Sequence, residues 1–388
     1  MEINIINEML ETYGMSLEEY NAFLEQMKAD PIGFITEETD PDIGKKKNIF
    51  KSIHQIAMPY AEQGYILKKP KVDGLSLVFL GVGGGGQAVV QGHHTGGFIL
   101  QSGDTRIHFD PGVTAVRDCL EYSQNAEDDW HPVMTDIICV THNHIDHCGG
   151  LEEYAENIIT VSKKFASQVT VLCNRTVLEG NKEFDQGPRL DKYKKAKLGT
   201  VKVMRPGDSH KAGEIIIKAV PAIHTESYDP ESKSHSDSDC VGYVIDTPNG
   251  TVGVTGDTEF FPALSESFNG TDHIVAYMVQ EKSRSKGEAE RYEKENVSRE
   301  KRVLHTQFLG EEGVLHLLAE VNPKTCILTH HGDQLVTYAD GKQQYVDIPQ
   351  TIAKRIESSS GVKTIAASDS MRVDIIEGSV KIRQNKSC

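Results

Sequence analysis

Residues 141–150 read THNHIDHCGG and place three histidines and an aspartate within ten positions, directly after the run DIICV. No other stretch constrains the chain as strongly. A short, nearly uninterrupted apolar run reads as a buried strand, so the cluster sits where a strand leaves the interior. His142 and His144 are two apart, and an extended backbone points such residues to the same side. Asp146 and His147 fall where the chain turns into a helix that starts near Gly149. One loop can therefore present ligands to two metal ions. Nitrogen and carboxylate donors without thiolate fit zinc, and also manganese or iron.

Three more apolar runs stop on a ligand-type residue. IHF ends at Asp110, VGVT at Gly256-Asp257, and CIL at Thr329-His330. Four such endings predict one shared site along the edges of the sheets, and Asp257 has the carboxylate needed to bridge two ions. Between strand-like runs such as LSLVFLG, VTVLCN, EIIIKAVPAIH and CVGYVIDT lie helical patterns such as GGLEEYAENI and EEGVLHLLAEVNP. This is an α/β texture with several fully buried strands. Before Leu75 the chain reads as helical. SLEEYNAFLEQM opens on the capping box Ser16-x-x-Glu19 and sets Leu17, Tyr20, Phe23, Leu24 and Met27 on one face, and KNIFKSIHQIAMPYAEQG predicts a second helix.

The pattern His142-x-His144-x-Asp146-His147, with a histidine before a later strand, an aspartate in GD and a late TH, resembles the metallo-β-lactamase superfamily. It is most similar to the branch of ribonuclease Z and the cyclic-nucleotide phosphodiesterases. The resemblance covers roughly residues 75–375 and implies a four-layer αββα sandwich, an α/β (α+β) fold, with two metal ions at the sheet edges. On that basis residues 1–73 form an N-terminal helical accessory region and 74–388 the hydrolase domain. The resemblance gives His142 and His144 to one ion and Asp146 and His147 to the other. Asp257 bridges them, His330 completes the second ion, and Asp110 of FDPG orients the loop.

The third histidine of the first ion has two candidates. His235, seven residues before Gly242, matches the family's histidine leading into a GY strand and is favoured; His224, at the end of IIIKAVPAI, is the alternative. His331 is the weaker alternative to His330. His305, in LHTQFLGEEGV, resembles the histidine with which ribonuclease Z assists departure of the leaving oxygen and is a candidate general acid beside the catalytic Asp146. GVGGGG (81–86) has the spacing of a dinucleotide loop, but Gly92, Gly96 and Gly97 break the helix that such a loop requires. The reading preferred is a turn that lets backbone approach the site. His93 and His94 are expected as solvated loop residues rather than lining of the mouth, and Cys148 as a packed thiol.

Composition narrows the partners. A net charge of -16 repels long polyphosphates unless a basic patch offsets it, so a small nucleotide, cyclic ones included, is favoured over RNA as the substrate. The expected reaction is attack of a metal-activated hydroxide on a phosphodiester, with zinc the first choice of metal. A lactone or thioester hydrolase on the same fold, a ribonuclease, and a degenerate binding module are the other readings. The seven cysteines are odd in number, scattered and without a CxxC, against a disulfide framework. No apolar stretch approaches the roughly 18 residues of a membrane span, and MEINIINEML lacks the flanks of a signal segment. A soluble, cytoplasmic protein with no membrane partner is expected, and a homodimer is implied by the resemblance.

Overall fold

A computed structural model describes residues 2–4, 10–11, 14–29, 66–68, 71–125, 130–161, 169–181, 186–224, 240–279, 309–332, 335, 337–339, 342–344 and 348–384. Two sheets dominate. The first runs, in order of pairing, Ser379–Gln384, Met371–Ile376, Val72–Gly81, Gly97–Gly103, Thr105–Phe109, Ile137–Val140, Val169–Cys173 and Gly199–Val203. The second runs Lys363–Ala366, Thr325–Thr329, His273–Tyr277, Gly250–Val254, Val241–Thr247, Ile215–Pro221 and Ser209–Ala212.

Alternation within the strands builds the layers. In Val72–Gly81, Leu75, Leu77 and Phe79 point between the sheets, whereas Val78 and Leu80 point outward to Cys119, Tyr122 and Trp130. In Ile137–Val140, Ile137 and Cys139 face the other sheet, while Ile138 and Val140 pack on Leu151, Tyr154 and Ile158 of the helix Leu151–Val161. The second sheet mirrors this. Val275, Tyr277 and Ile327 face inward; Ile274, Ala276, Cys326 and Leu328 meet Val314, Leu317 and Ile352 of the helices Gly310–Val321 and Ile348–Ser360. Strands that bury both faces read as continuous apolar runs: Ile137–Val140 pairs in parallel with Thr105–Phe109 and Val169–Cys173, and His273–Tyr277 with Gly250–Val254 and Thr325–Thr329, while Val72–Gly81 is antiparallel to both of its neighbours. The result is the expected αββα sandwich.

The helix Leu17–Ala29 begins on the predicted capping box: the Glu19 N–H donates to Ser16 Oγ at 3.1 Å, and the Ser16 N–H to Glu19 Oε2 at 2.9 Å. Tyr20 and Phe23 are buried and Leu17 is exposed. The second predicted helix lies outside the described residues. No described helix is long and apolar enough to cross a membrane.

Candidate metal centre

Each candidate ligand sits just past a strand end, where backbone pairing stops and side chains are free to converge. His142 and His144 follow Ile137–Val140, and Asp146 and His147 lie in the one-turn helix Ile145–Cys148. His224 follows Ile215–Pro221, Asp257 follows Gly250–Val254, and His330 follows Thr325–Thr329. The two sheets are tied together here: the Val241 N–H donates to the Thr141 carbonyl at 3.1 Å, and the Tyr243 hydroxyl to the Val140 carbonyl at 2.9 Å.

Two groups result. In the first, His144 Nδ1 lies 2.8 Å from His142 Nε2 and 3.2 Å from His224 Nε2, and Asp257 Oδ2 is 3.6 Å from His224 Nε2 and 4.0 Å from His142 Nε2. In the second, Asp146 Oδ2 lies 3.1 Å from His330 Nε2 and 3.4 Å from His147 Nε2. Asp257 reaches both, with Oδ2 3.4 Å from His147 Nε2 and Oδ1 3.1 Å from His330 Nδ1. The ligand atoms within each group are close enough for one ion.

The donor set fits divalent cations. His147 Nε2, His330 Nδ1 and Asp257 Oδ1 are buried and make no well-aligned hydrogen bond, although buried polar groups are nearly always satisfied. Cations between these atoms would satisfy all three. The protonation pattern agrees. Burial, reinforced by His147 and His144, holds His142 well below the usual histidine range, so its nitrogens are neutral and can ligate. Burial opposes ionisation of Asp257, yet His330 and His147 outweigh it and bring the carboxyl down to about 2. Burial likewise opposes protonation of His147, but the carboxylates of Asp146, Asp257 and Asp110 overcome it and raise the ring well above its ordinary value. In the absence of cations, a proton on His147 takes up part of the negative charge.

Asp110 supports the second group. It holds a left-handed backbone with φ 47°. Its Oδ1 accepts the Thr141 N–H at 2.7 Å, its Oδ2 accepts the Tyr277 hydroxyl at 2.8 Å, and Oδ2 also lies 3.1 Å from His147 Nδ1. The Tyr277 ring stacks on His147 and on His330, at centroid distances of 5.9 and 5.1 Å. Tyr277 is absent from the sequence-based set, although HIVAY is an apolar run ending in a polar-tipped ring.

The glycine-rich turn reaches the centre. The Gly85 N–H donates to Asp146 Oδ2 at 2.6 Å, and a Cβ on Gly84 would stand 2.6 Å from His330 Cγ. The helix that follows, Gly86–Val90, is only five residues long, consistent with a turn that serves the site rather than a dinucleotide. His93 is buried and bonded to Gln91 at 2.8 Å, and His94 is half-buried with its Nδ1 2.7 Å from Asp118 Oδ1; neither is the solvated loop histidine expected. His331 stands outside both groups, buried with its Nε2 3.1 Å from the Ala367 carbonyl. Cys148 is a packed thiol: burial pushes it up to about 12, and its Sγ lies 3.0 Å from the His144 carbonyl.

For the third histidine of the first group, the described residues bring in His224, the alternative. His235 and His305 lie outside the described residues. The preference for His235 rested on its spacing to the GY strand; what places His224 is the rule that the other ligands already obey, a strand ending on a ligand.

Comparison with known proteins agrees with the fold. An uncharacterized protein of Methanocaldococcus jannaschii is 28% identical over 311 residues, 79% of this chain and 97% of that one. The metallo-beta-lactamase fold protein YhfI from Bacillus subtilis superposes with a TM-score of 0.52 at 14% identity, covering 78% of this chain and 99% of that one. Zn2+-bound PqqB from Methylobacterium extorquens does so with a TM-score of 0.50 at 12% identity, covering 77% and 100%. A family described as the beta-lactamase superfamily domain matches residues 105–331, a span that holds both ligand groups, and the chain belongs to the metallo-β-lactamase superfamily, as a metal-dependent hydrolase.

Proposed function

We propose that this chain hydrolyses a phosphodiester in a small nucleotide, cyclic ones included, at a centre for two divalent ions. The observation that carries the reading is Asp257, whose two oxygens reach the two ligand groups at once. His142, His144 and His224 would hold one ion and Asp146, His147 and His330 the other, with zinc the first choice and manganese or iron the alternatives. Two bound ions supply an activated water and neutralise the charge that builds up in an in-line displacement. The protein's part is to hold the ligands still. Asp110, fixed by Thr141 and Tyr277, orients His147, and the Gly85 N–H fixes Asp146. A general acid for the leaving oxygen is assigned to His305 by sequence resemblance.

The choice of a phosphodiester is supported by the glycine-rich approach, the DPG turn and the VGY strand, and the choice of a small molecule by the net charge of -16. The test is hydrolysis of cyclic mononucleotides, cyclic dinucleotides, precursor RNA and bis(p-nitrophenyl) phosphate, with zinc or manganese and with a chelator. Ester, thioester and β-lactam probes run alongside. Chelator-sensitive cleavage of a cyclic nucleotide is expected, and loss of all turnover in the folded His144→Ala/Asp146→Ala variant. Turnover of lactone or thioester probes alone would overturn the phosphodiester assignment.

A further inference from the structure

We infer that Asn143, gripped from behind by Arg189, positions His142 and His144 for the first ion and so couples ion binding to residues 174–181 and 186–190; this rests on the two-ion centre of the proposed function and names what sets one of its two places. Asn143 stands between the two histidines. His142 and His144 bring their rings to a centroid distance of 4.5 Å, whereas the Asn143 amide is fully buried and turns to residues outside the ligand set. Its Nδ2 donates to the Thr176 carbonyl at 3.0 Å and to the Gly187 carbonyl at 3.4 Å. Its Oδ1 accepts from Arg189 Nε at 3.0 Å and from Cys148 Sγ at 3.4 Å. A primary amide has two N–H donors and two lone pairs. All four are engaged, which fixes both the plane and the direction of the group. The Cys148 thiol shares its proton with the His144 carbonyl, 3.0 Å away, so the backbone of the second histidine is held as well.

The partners are themselves moored. Thr176 lies in the short helix Arg175–Glu179, where Asn174 Oδ1 accepts the Val177 N–H at 3.2 Å. The Arg189 N–H donates to the Val177 carbonyl at 2.9 Å, and Asn181 and Gln186 exchange backbone hydrogen bonds of 2.7 and 3.0 Å. Val177 and Leu190 are buried with Ile138 and Val140 of the strand that leads to the histidines. Arg189 is the unusual member. It is half-buried, forms no ion pair among the described residues, and gives its Nε to a neutral amide. A cation in a partly dry place without a carboxylate is costly for folding, while a hydrogen bond from a charged donor is roughly twice as strong as a neutral one. The arrangement stiffens Asn143 at a cost in stability, as expected of a group that orients metal ligands. Coupling of binding free energies is reciprocal. If these residues hold His142 and His144, an ion on those histidines holds them in return.

The test separates the two ions. His330→Ala leaves the first ligand group intact and His224→Ala the second, and zinc affinity is measured in each background by competition with a chromophoric chelator. Asn143→Leu keeps the branching of the side chain and removes the amide. It is expected to weaken zinc binding by about 10- to 100-fold in the first background and to leave it unchanged in the second. Arg189→Met is expected to weaken zinc binding in the first background only, and to add nothing once Asn143→Leu is present; at its half-exposed position it carries the test alone should Asn143→Leu not fold. A general structural role would move both backgrounds together. Hydrogen exchange reads the coupling in the protein with both groups intact. Zinc is expected to slow exchange in peptides covering 174–181 and 186–190, and the slowing is expected to be lost in Asn143→Leu or Arg189→Met. Equal weakening in the two backgrounds, unchanged zinc affinity in the first, or slowing that persists in the variants overturns the inference. The centre itself fails in a different way: if the unaltered protein does not take up two zinc ions, or if neither His330→Ala nor His224→Ala loses one, the two-ion reading is refuted before Asn143 is altered.

Discussion

Replacing Tyr277 by phenylalanine removes one oxygen and keeps the ring that stacks on His147 and His330. The lost contact is a 2.8 Å hydrogen bond to Asp110 Oδ2, a buried carboxylate whose other oxygen is held by Thr141. Hydrogen bonds to charged groups contribute about 1.5–3 kcal/mol. Asp110 Oδ2 also stands 3.1 Å from His147 Nδ1, so loosening Asp110 loosens the ring that offers Nε2 to the second ion. If the whole effect falls on metal binding, about 1.4 kcal/mol per tenfold makes it a loss of roughly 10- to 150-fold in affinity, comparable to the usual effect of removing a group that orients a ligand. Any part not seen there has to be seen in folding. The assay is therefore double: competition with a chromophoric chelator for the weaker metal equivalent, and urea unfolding of the metal-free protein. The two free-energy changes together should come to about 1.5–3 kcal/mol. An unchanged metal affinity combined with an unchanged urea midpoint would refute the role given to Asp110 and Tyr277.

Three shorter predictions address other parts of the molecule. His224→Ala is expected to bring the bound metal measured by mass spectrometry down by about one equivalent, while His235→Ala retains both; the reverse result would support the spacing-based choice. Gly84→Ala sets a methyl group against the His330 ring and should lower occupancy of the second ion site while the far-ultraviolet dichroism stays as it was; full occupancy would show that the turn can yield. Burial holds His131, far from neutral water, at about 3 in the folded chain, below the 6.5 or so of an unfolded histidine. Between these values the unfolded chain binds one proton more, so this residue contributes stability that is present above pH 6.5 and lost as pH falls towards 3. His131→Asn, which keeps an acceptor for the Val133 N–H, is expected to flatten the pH dependence of the unfolding free energy between pH 6 and 4 by about 1.4 kcal/mol per pH unit; an unaltered slope argues that His131 is protonated in the folded state.

Much of the site was readable because parallel buried strands leave a double mark: an unbroken apolar run, then an abrupt polar residue at the sheet edge. DIICV followed by THNH, VGVT followed by GD, and CIL followed by TH all carry it, and the residues after them meet. His224 carries the same mark, whereas the spacing that favours His235 runs across residues outside the described ones. The strand that ends at Tyr277 was overlooked because His273 begins it and the polar stretch QEKSRSKGEAERYEKEN follows closely, which draws the eye to a loop.

The pairing of Val72–Gly81 with Met371–Ile376 sets a timetable for a chain emerging from the ribosome. The first group's ligands, His142, His144, His224 and Asp257, are all translated long before His330 completes the second, so one metal position can be furnished while the other still lacks a residue. Val72–Gly81, meanwhile, has one neighbour, Gly97–Gly103, early on and gains its second only when residues 371–376 appear. At usual elongation rates that interval is roughly 15–60 s. Throughout it, an apolar strand in the interior of the finished sheet is an open edge, the kind of surface that recruits other chains, and the second ligand group is still incomplete for most of that interval because His330 is among the last residues to appear.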